Sequence, residues 1–330
     1  MVQRMAVRFR GTGMYVPDEV LDNQHFMRYL DTSDEWIVTR TGIHERRRAA
    51  KDETTSTMAV RAAERALENA GLAPDDIDLI IVATSTGDHP WPPAAAFVQK
   101  ALGGRIVPAF DIAAACAGFI YATTAASSLL TTGPYQNALV VGAETLTRFT
   151  DPNDRATVVL LGDAAGAAVL SRSTDPDQGI LHFELGCDGD KVKYIWVPAG
   201  GSRLPASTMT VNERLHYMQM RGRDVYKFAV LKMQELIDHA LQVTGLEPDD
   251  IALVIPHQSN LRIIESVRQR LGLPQEKIAV NIDRFGNTSA ASIPMALDEA
   301  RRSGRLKQGD IILLLGIGAG LTWGAMMVRL

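Results

Sequence analysis

Short, continuous apolar runs alternate with helical stretches along most of this chain, and the arrangement occurs twice. The run Gly71-Leu72-Ala73-Pro74-Asp75-Asp76-Ile77-Asp78-Leu79-Ile80-Ile81 returns as Gly245-Leu246-Glu247-Pro248-Asp249-Asp250-Ile251-Ala252-Leu253-Val254-Ile255, an offset of 174 (245 minus 71). Each copy follows a predicted helix, over 54–70 and 222–244, and its leading glycine suits the left-handed position that ends a helix. A second predicted strand ending in aspartate comes next, over 106–111 and 278–283, with Asp111 and Asp283 172 apart. A third closes on glycine, over 138–142 and 311–316, with Gly142 and Gly316 again 174 apart. Three echoes in register are not expected of chance.

Strands that are apolar throughout, rather than on alternate residues, are covered on both faces; interleaved with helices they predict an α/β protein with mixed, mostly parallel sheets. The repeat predicts two similar halves, residues 1–175 and 176–330, joined near 171–179 where Asp, Pro and Ser cluster. Residues 186–220 have no counterpart in the first half and read as an inserted cap, the kind of segment that carries binding on a rigid scaffold.

The chain has 330 residues, 46% hydrophobic and 22% charged, a globular composition long enough to bury a sizeable core. Its net charge of −4 offers no basic excess for nucleic acid. Two cysteines cannot build a disulfide framework and fit a reducing compartment. The segment 1–8 is broken by charge and has no apolar run of signal-peptide length, and the longest apolar stretch, 311–323, is too short to span a bilayer. A cytoplasmic location is expected.

Cys116 lies in Asp111-Ile112-Ala113-Ala114-Ala115-Cys116-Ala117-Gly118-Phe119, past a predicted strand and at the head of an apolar helix over 118–130. A helix N-terminus offers free N–H groups and positive potential, which favour thiolate over thiol, and the alanines leave room for a substrate. Taken alone, such a cysteine is more often structural, and Cys187 reads as a buried structural one. The second half changes the balance for Cys116. His257 follows Val254-Ile255-Pro256 at the C-terminal end of a strand, where open α/β sheets place ligands. Asn287 follows Asp283-Arg284-Phe285-Gly286, and the repeat maps its loop onto that of Cys116 (287 minus 116 is 171) and His257 onto Ala83. A cysteine with a distant His and Asn is a known setting for a thiol nucleophile. The run Gly316-Ile317-Gly318-Ala319-Gly320 lacks dinucleotide-loop spacing and is followed by a predicted strand over 321–330, so it reads as a turn. Arg46-Arg47-Arg48 reads as a solvated loop.

These segments carry a resemblance. Ala114-Ala115-Cys116-Ala117-Gly118-Phe119, Pro256-His257-Gln258-Ser259-Asn260-Leu261-Arg262-Ile263-Ile264 and Gly286-Asn287-Thr288-Ser289-Ala290-Ala291-Ser292 resemble β-ketoacyl-ACP synthase III, as do 33–43 and Gly318-Ala319-Gly320-Leu321-Thr322-Trp323-Gly324. The resemblance runs over nearly the whole chain. It implies the thiolase fold in an αβαβα layered arrangement, a homodimer, and decarboxylative condensation of an acyl-CoA with malonyl-ACP, with no metal and no cofactor beyond these thioester substrates. Cys116 would carry the acyl group, His257 and Asn287 would stabilise the enolate formed as carbon dioxide leaves, and the N–H groups of Cys116 and Ala319 would form the oxyanion hole. Trp36 would stack on adenine, with Arg40, Thr41, Arg155, Gly222, Tyr226, Asn260 and Arg262 along the CoA channel.

Two positions depart mildly from that family: Tyr226 stands where many relatives have phenylalanine, and Ser259 where many have alanine. Trp91, in His89-Pro90-Trp91-Pro92-Pro93, falls where a smaller residue of the partner subunit commonly floors the acyl pocket, which implies a short primer. Arg223, Lys227, Arg262 and Arg270 form a candidate docking rim for the acidic acyl carrier protein. The rival within enzymes is a thiolase-fold acyltransferase or ketosynthase dedicated to a secondary metabolite. A non-catalytic partner subunit is disfavoured because Cys116, His257 and Asn287 are all intact. Thiolase and hydroxymethylglutaryl-CoA synthase are disfavoured because their extra catalytic Cys or Glu has no obvious home here.

Overall fold

The computed structural model describes residues 6–175 and 177–330; residues 1–5, and Pro176 at the expected junction of the halves, lie outside the described residues. The first half runs β1 (Val7–Tyr15), β2 (Glu19–Asp22), α1 (Asn23–Met27), α2 (Asp34–Thr41), β3 (Glu45–Arg48), α3 (Thr55–Ala70), β4 (Leu79–Ala83), α4 (Ala94–Leu102), β5 (Ala109–Ile112), α5 (Gly118–Thr132), β6 (Asn137–Thr145), α6 (Arg155–Val158) and β7 (Asp163–Arg172). The second runs β8 (Gly179–Cys187), β9 (Ile195–Trp196), α7 (Thr208–Asn212), β10 (Gln219–Met220), α8 (Gly222–Thr244), β11 (Ile251–Pro256), α9 (Leu261–Leu271), α10 (Ile282–Phe285), α11 (Ser292–Arg302), β12 (Ile311–Gly318) and β13 (Thr322–Arg329).

Two mixed sheets result, ordered β1-β7-β6-β4-β5 and β11-β12-β13-β8. β4 pairs parallel with both β5 and β6, and β11 pairs parallel with β12; β7 and β13 return antiparallel. The apolar strands feed three layers of packing. Leu79, Ile81 and Ala83 of β4 point to the middle, where α5 (Phe119, Ile120, Ala126) and α11 (Ile293, Leu297, Ala300) lie between the sheets. Ile80 and Val82 point the other way, onto α3 and α4. Val254 of β11 and Leu313 and Leu315 of β12 face α8 and α9 on the far side. The order is therefore helix, sheet, helix, sheet, helix, the thiolase layering. α5 is apolar nearly all round because it is covered on both sides.

The repeat extends further than the three echoes. Gly71 and Gly245 both end their helices in the left-handed conformation, φ 63° and 68°. β8 pairs with β13 as β1 pairs with β7, and the 3₁₀ turns Ala115–Ala117 and Ser289–Ala291 match at an offset of 174, with Ala115 and Ser289 both at φ 47°. The residue standing opposite Cys116 is thus Ala290, and Asn287 sits three residues ahead of it. The segment between β8 and α8 occupies the place that β2, α1, α2 and β3 occupy between β1 and α3, built from different elements.

Four local expectations are corrected. The strand expected over 278–283 shrinks to one parallel bridge, Val254 to Ile278, followed by α10. The carboxamide oxygen of buried Gln258 accepts the N–H groups of Asn281 (2.9 Å) and Ile282 (3.2 Å) and turns the chain away from β11. The strand expected over 106–111 begins later, at Ala109, and leaves Ile106 99% exposed. Arg46-Arg47-Arg48 is not a solvated loop: it forms β3 against β2, and Arg46 is fully buried over the Phe26 ring, donating to Leu21 O, Asn23 Oδ1 and Val159 O. Burial lowers its pKa to about 10, so it stays charged with carbonyl dipoles as partners. Cys187 is not buried but exposed, at the frayed end of the edge strand β8. No helix of the described residues is long and apolar enough to cross a membrane.

Candidate active site at the head of α5

Cys116 sits in the 3₁₀ turn just ahead of α5, after β5. Ala115 holds a left-handed φ that L residues avoid, so the surroundings fix this turn. Two glycines of β12 do so. A Cβ on Gly316 would lie 3.2 Å from Cys116 O, and one on Gly318 only 2.6 Å from Cys116 N. The turn carrying Ala319 is thereby pressed against the Cys116 amide, and Thr322 Oγ1 ties it by donating to Ala114 O (3.0 Å).

Burial pushes the Cys116 thiol up to about 12; the nearby Glu144 carboxylate adds to this, while a hydrogen bond with Ser289 opposes it. The expectation that the helix N-terminus holds a resting thiolate is therefore not met, because desolvation outweighs it. The free enzyme rests as a thiol, and acylation needs an acceptor for its proton.

His257 ends β11, with its N–H on Leu315 O (2.7 Å), so it lies one residue across from Gly316, which packs on Cys116. Its ring is buried, and burial lowers its pKa to about 3, leaving a neutral imidazole. Ser292 Oγ lies 2.7 Å from Nδ1 and accepts from Gln258 N–H (3.4 Å). With that lone pair used, the Ser292 hydroxyl donates to Nδ1, which assigns the ring proton to Nε2.

Asn287 is clamped through its backbone: its N–H donates to Leu160 O (2.8 Å) and its carbonyl accepts from Gly162 N–H (3.0 Å). Its side-chain Oδ1 accepts from Ser289 N–H (2.9 Å), which leaves the Nδ2 donors free. Because Ser289 also bonds Cys116, Asn287 is two residues from a direct neighbour of the nucleophile. The structure thus brings Cys116, His257 and Asn287 around one point and orients the last two as neutral N–H donors.

The expected CoA residues gather around α2 and the start of α9. The guanidinium groups of Arg40 and Arg155 lie over the Trp36 ring, at 4.5 and 4.6 Å from its centroid, and Arg262 lies over Tyr226 at 5.6 Å. Asn260 caps α9 and donates to Arg40 O (2.8 Å), joining the two elements. Gly222 opens α8 with free space beside it. Thr41 is different: it is buried, and its hydroxyl donates to Ile37 O and accepts from Ile43 N–H, so it caps α2 internally.

Arg223 and Lys227 are exposed one turn apart on α8. Arg270 lies at the far end of α9, about 12 Å along the axis from Arg262, and is paired with Asp238. Trp91, on the loop after β4, is 69% exposed in the single chain.

Sequence reasoning missed Ser289, Ser292, Gln258 and Glu144. A fully buried acid within the apolar run of β6 was a signal for the last; the serines gave none. One further cluster, His182, Glu184 and His239, has potential ligand atoms within 4.8 Å of one another on β8 and α8. His239 and Glu184 already satisfy each other at 2.6 Å, whereas both ring nitrogens of His182 are buried without a partner.

Two family models match the chain: 3-oxoacyl-[acyl-carrier-protein] synthase III over residues 110–189, and the C-terminal part of the same enzyme over residues 241–330. The chain is 50% identical over 329 residues to the β-ketoacyl-[acyl-carrier-protein] synthase III of Caldanaerobacter subterraneus, covering 100% of this chain and 99% of that protein. It superimposes on the crystal structure of 3-oxoacyl-[acyl-carrier-protein] synthase III from Aquifex aeolicus with a TM-score of 0.90, at 45% identity, covering 98% of this chain and 100% of the other. The priming β-ketosynthase of a polyketide pathway superimposes equally well (TM-score 0.90, 36% identity, 100% and 98% covered).

Proposed function

The chain belongs to the β-ketoacyl-ACP synthase III family, and from that premise we propose how its site performs the condensation. It is an acyltransferase of the condensing type that serves fatty-acid synthesis. Cys116 attacks the thioester carbonyl of an acyl-CoA; the tetrahedral oxyanion is held by the N–H groups of Cys116 and Ala319, and CoA leaves. Malonyl-ACP then enters. His257 Nε2 and Asn287 Nδ2 donate to its thioester carbonyl, carbon dioxide departs, and the enolate attacks the acyl carbon and frees Cys116.

One observation carries this reading above the others: both donors are oriented from behind. Ser292 on Nδ1 and Ser289 N–H on Oδ1 leave each residue presenting N–H to the same point. Neutral donors suit a charge that appears only as the reaction proceeds. No metal or organic cofactor is required by this sequence of steps.

The Trp36, Arg40 and Arg155 stack, with Arg262, Tyr226, Asn260 and Gly222, is the CoA entrance; Thr41 supports it from within. Arg223, Lys227 and Arg262 receive the carrier protein. A homodimer is supported by β5, an edge strand, and by the exposed Trp91 and Ile106 near it; Trp91 then closes the partner's acyl pocket and selects short primers. Cys116 and Cys187, both free thiols, fit work in the cytoplasm.

The likeness to a priming β-ketosynthase supports a second reading, a dedicated initiation step with the same chemistry. Incubation with a panel of acyl-CoAs and malonyl-ACP, read as acyl-enzyme and product masses, separates the two. Preference for acetyl-CoA supports the housekeeping role, and preference for a branched or long primer supports the dedicated one. Failure to form any acyl-enzyme would overturn both.

A further inference from the structure

Glu144, in β6, is fully buried, and none of the steps above uses it. Its two oxygens have different partners. Oε2 accepts from Thr86 Oγ1 (2.5 Å) and Thr84 Oγ1 (3.3 Å), and Ser85 N–H reaches both oxygens at 3.2 Å. Oε1 accepts from Ser289 Oγ (3.1 Å), and Ser289 is the residue hydrogen-bonded to the Cys116 thiol. A serine hydroxyl has one proton and two lone pairs. With its proton directed to Glu144, Ser289 Oγ accepts from Cys116 Sγ–H. The chain of donors thus runs one way, from thiol to hydroxyl to carboxylate.

We propose that Glu144 takes the Cys116 proton through Ser289 Oγ during acylation, and returns it when condensation frees the thiolate. The inference rests on Cys116 being the nucleophile. The Sγ–H bond breaks as Ser289 Oγ takes the proton, and the hydroxyl's own proton passes to Glu144 Oε1. The sulfur lone pair then bonds to the acyl carbon, the bond from that carbon to the CoA sulfur breaks, and CoA thiolate takes its proton from solvent. In condensation the enolate carbon displaces Cys116, which leaves with the bonding pair, and the stored proton returns by the same path. Nothing outside the two thioesters and water is needed.

The surroundings suit a reversible acceptor. Burial pushes the Glu144 carboxyl up to about 7 against the pull of its hydrogen bonds, so near neutral pH it can both take and release a proton. The groups packed on it from β6, the turn after β4 and the Ser289 turn are neutral hydroxyls and amides, and the titratable group facing it is Cys116. Protonating Glu144 also removes the negative charge that raises the thiol, so the transfer lowers its own penalty. The positive end of α5 lies beside the sulfur. Glu144 acts through Ser289 and is a positioning residue.

The test is single-turnover acylation by a short acyl-CoA, followed across pH as acyl-enzyme mass and released CoA thiol, for wild type, Glu144→Gln and Ser289→Ala. Wild type should show a rate that rises through an inflection near pH 7, as the acceptor ionises. Glu144→Gln should acylate ~10²-fold more slowly at neutral pH, the loss typical of a removed proton acceptor. It should also lose the inflection, its rate climbing steadily into alkali. Ser289→Ala breaks the relay while Thr84, Thr86 and Ser85 still hold the carboxylate, so it should behave alike and decides the matter if Glu144→Gln does not fold. Variants slowed equally at every pH, with the inflection kept, would make the role structural and overturn the relay. Unchanged rates would overturn it as well. Acylation that persists in Cys116→Ala overturns the nucleophile instead, which keeps the two failures apart.

Discussion

Adding a single methyl group at Gly318 should disable acylation while the fold survives. A Cβ there would lie 2.6 Å from Cys116 N and 3.0 Å from both Ala114 O and Ala115 Cβ, whereas ordinary contact begins at 3.4 Å. The nearest clash must open by 0.8 Å (3.4 minus 2.6). The atoms in the way are backbone or Cβ atoms, so no flexible side chain can yield. The displaced group is the N–H that holds the oxyanion. A misplacement of about 1 Å can cost ~10²-fold, and loss of one oxyanion donor ~10²–10³-fold. Gly318→Ala should therefore acylate ~10²-fold more slowly than wild type, measured by rapid-quench acyl-enzyme mass with acetyl-CoA. Gly245→Ala is the control: it sits at φ 68° with nothing within 4 Å, so it should lose ~1–2 kcal/mol of stability and keep its acylation rate. Gly318→Ala acylating within about threefold of wild type would refute the assigned oxyanion hole.

His257→Ala and Asn287→Ala should cut malonyl-ACP decarboxylation ~10²–10³-fold and acylation much less, read as carbon dioxide release against acyl-enzyme mass; the opposite split would mean the roles are wrongly divided. Trp91→Ala should shift preference towards longer acyl-CoAs with the dimer intact by light scattering, and an unchanged chain-length profile would show that Trp91 is no gate. Charge reversal at Arg223 and Lys227 should raise the apparent KM for malonyl-ACP several-fold, the more so at low salt, and leave that for acyl-CoA alone. The same change at Arg270, already paired with Asp238, should do less.

The duplicated architecture was legible because each strand carries its own apolar run and each outer helix its own terminating glycine. Cys116, His257 and Asn287 were legible because long, specific motifs surround them. What lay hidden depends on packing across the repeat. Ser289 and Ser292 are ordinary residues until the second turn brings one to Cys116 and the other to His257. Gln258 was quoted within a motif, yet only tertiary structure shows it diverting the expected strand after Ile278. Arg46 misled because three arginines in a row suggest water, while carbonyl partners and the Phe26 ring let one of them go inside. Thr41 was assigned to a channel wall from its motif, although its hydroxyl is spent within α2.

The central claim is that Cys116 carries the acyl group, and intact-mass spectrometry after incubation with acetyl-CoA tests it most directly. Wild type and Cys187→Ala should each gain one acetyl group, released on adding malonyl-ACP as the condensed product appears. Cys116→Ala should gain none. An acetyl group that still appears on Cys116→Ala, or vanishes with Cys187→Ala, would contradict the account.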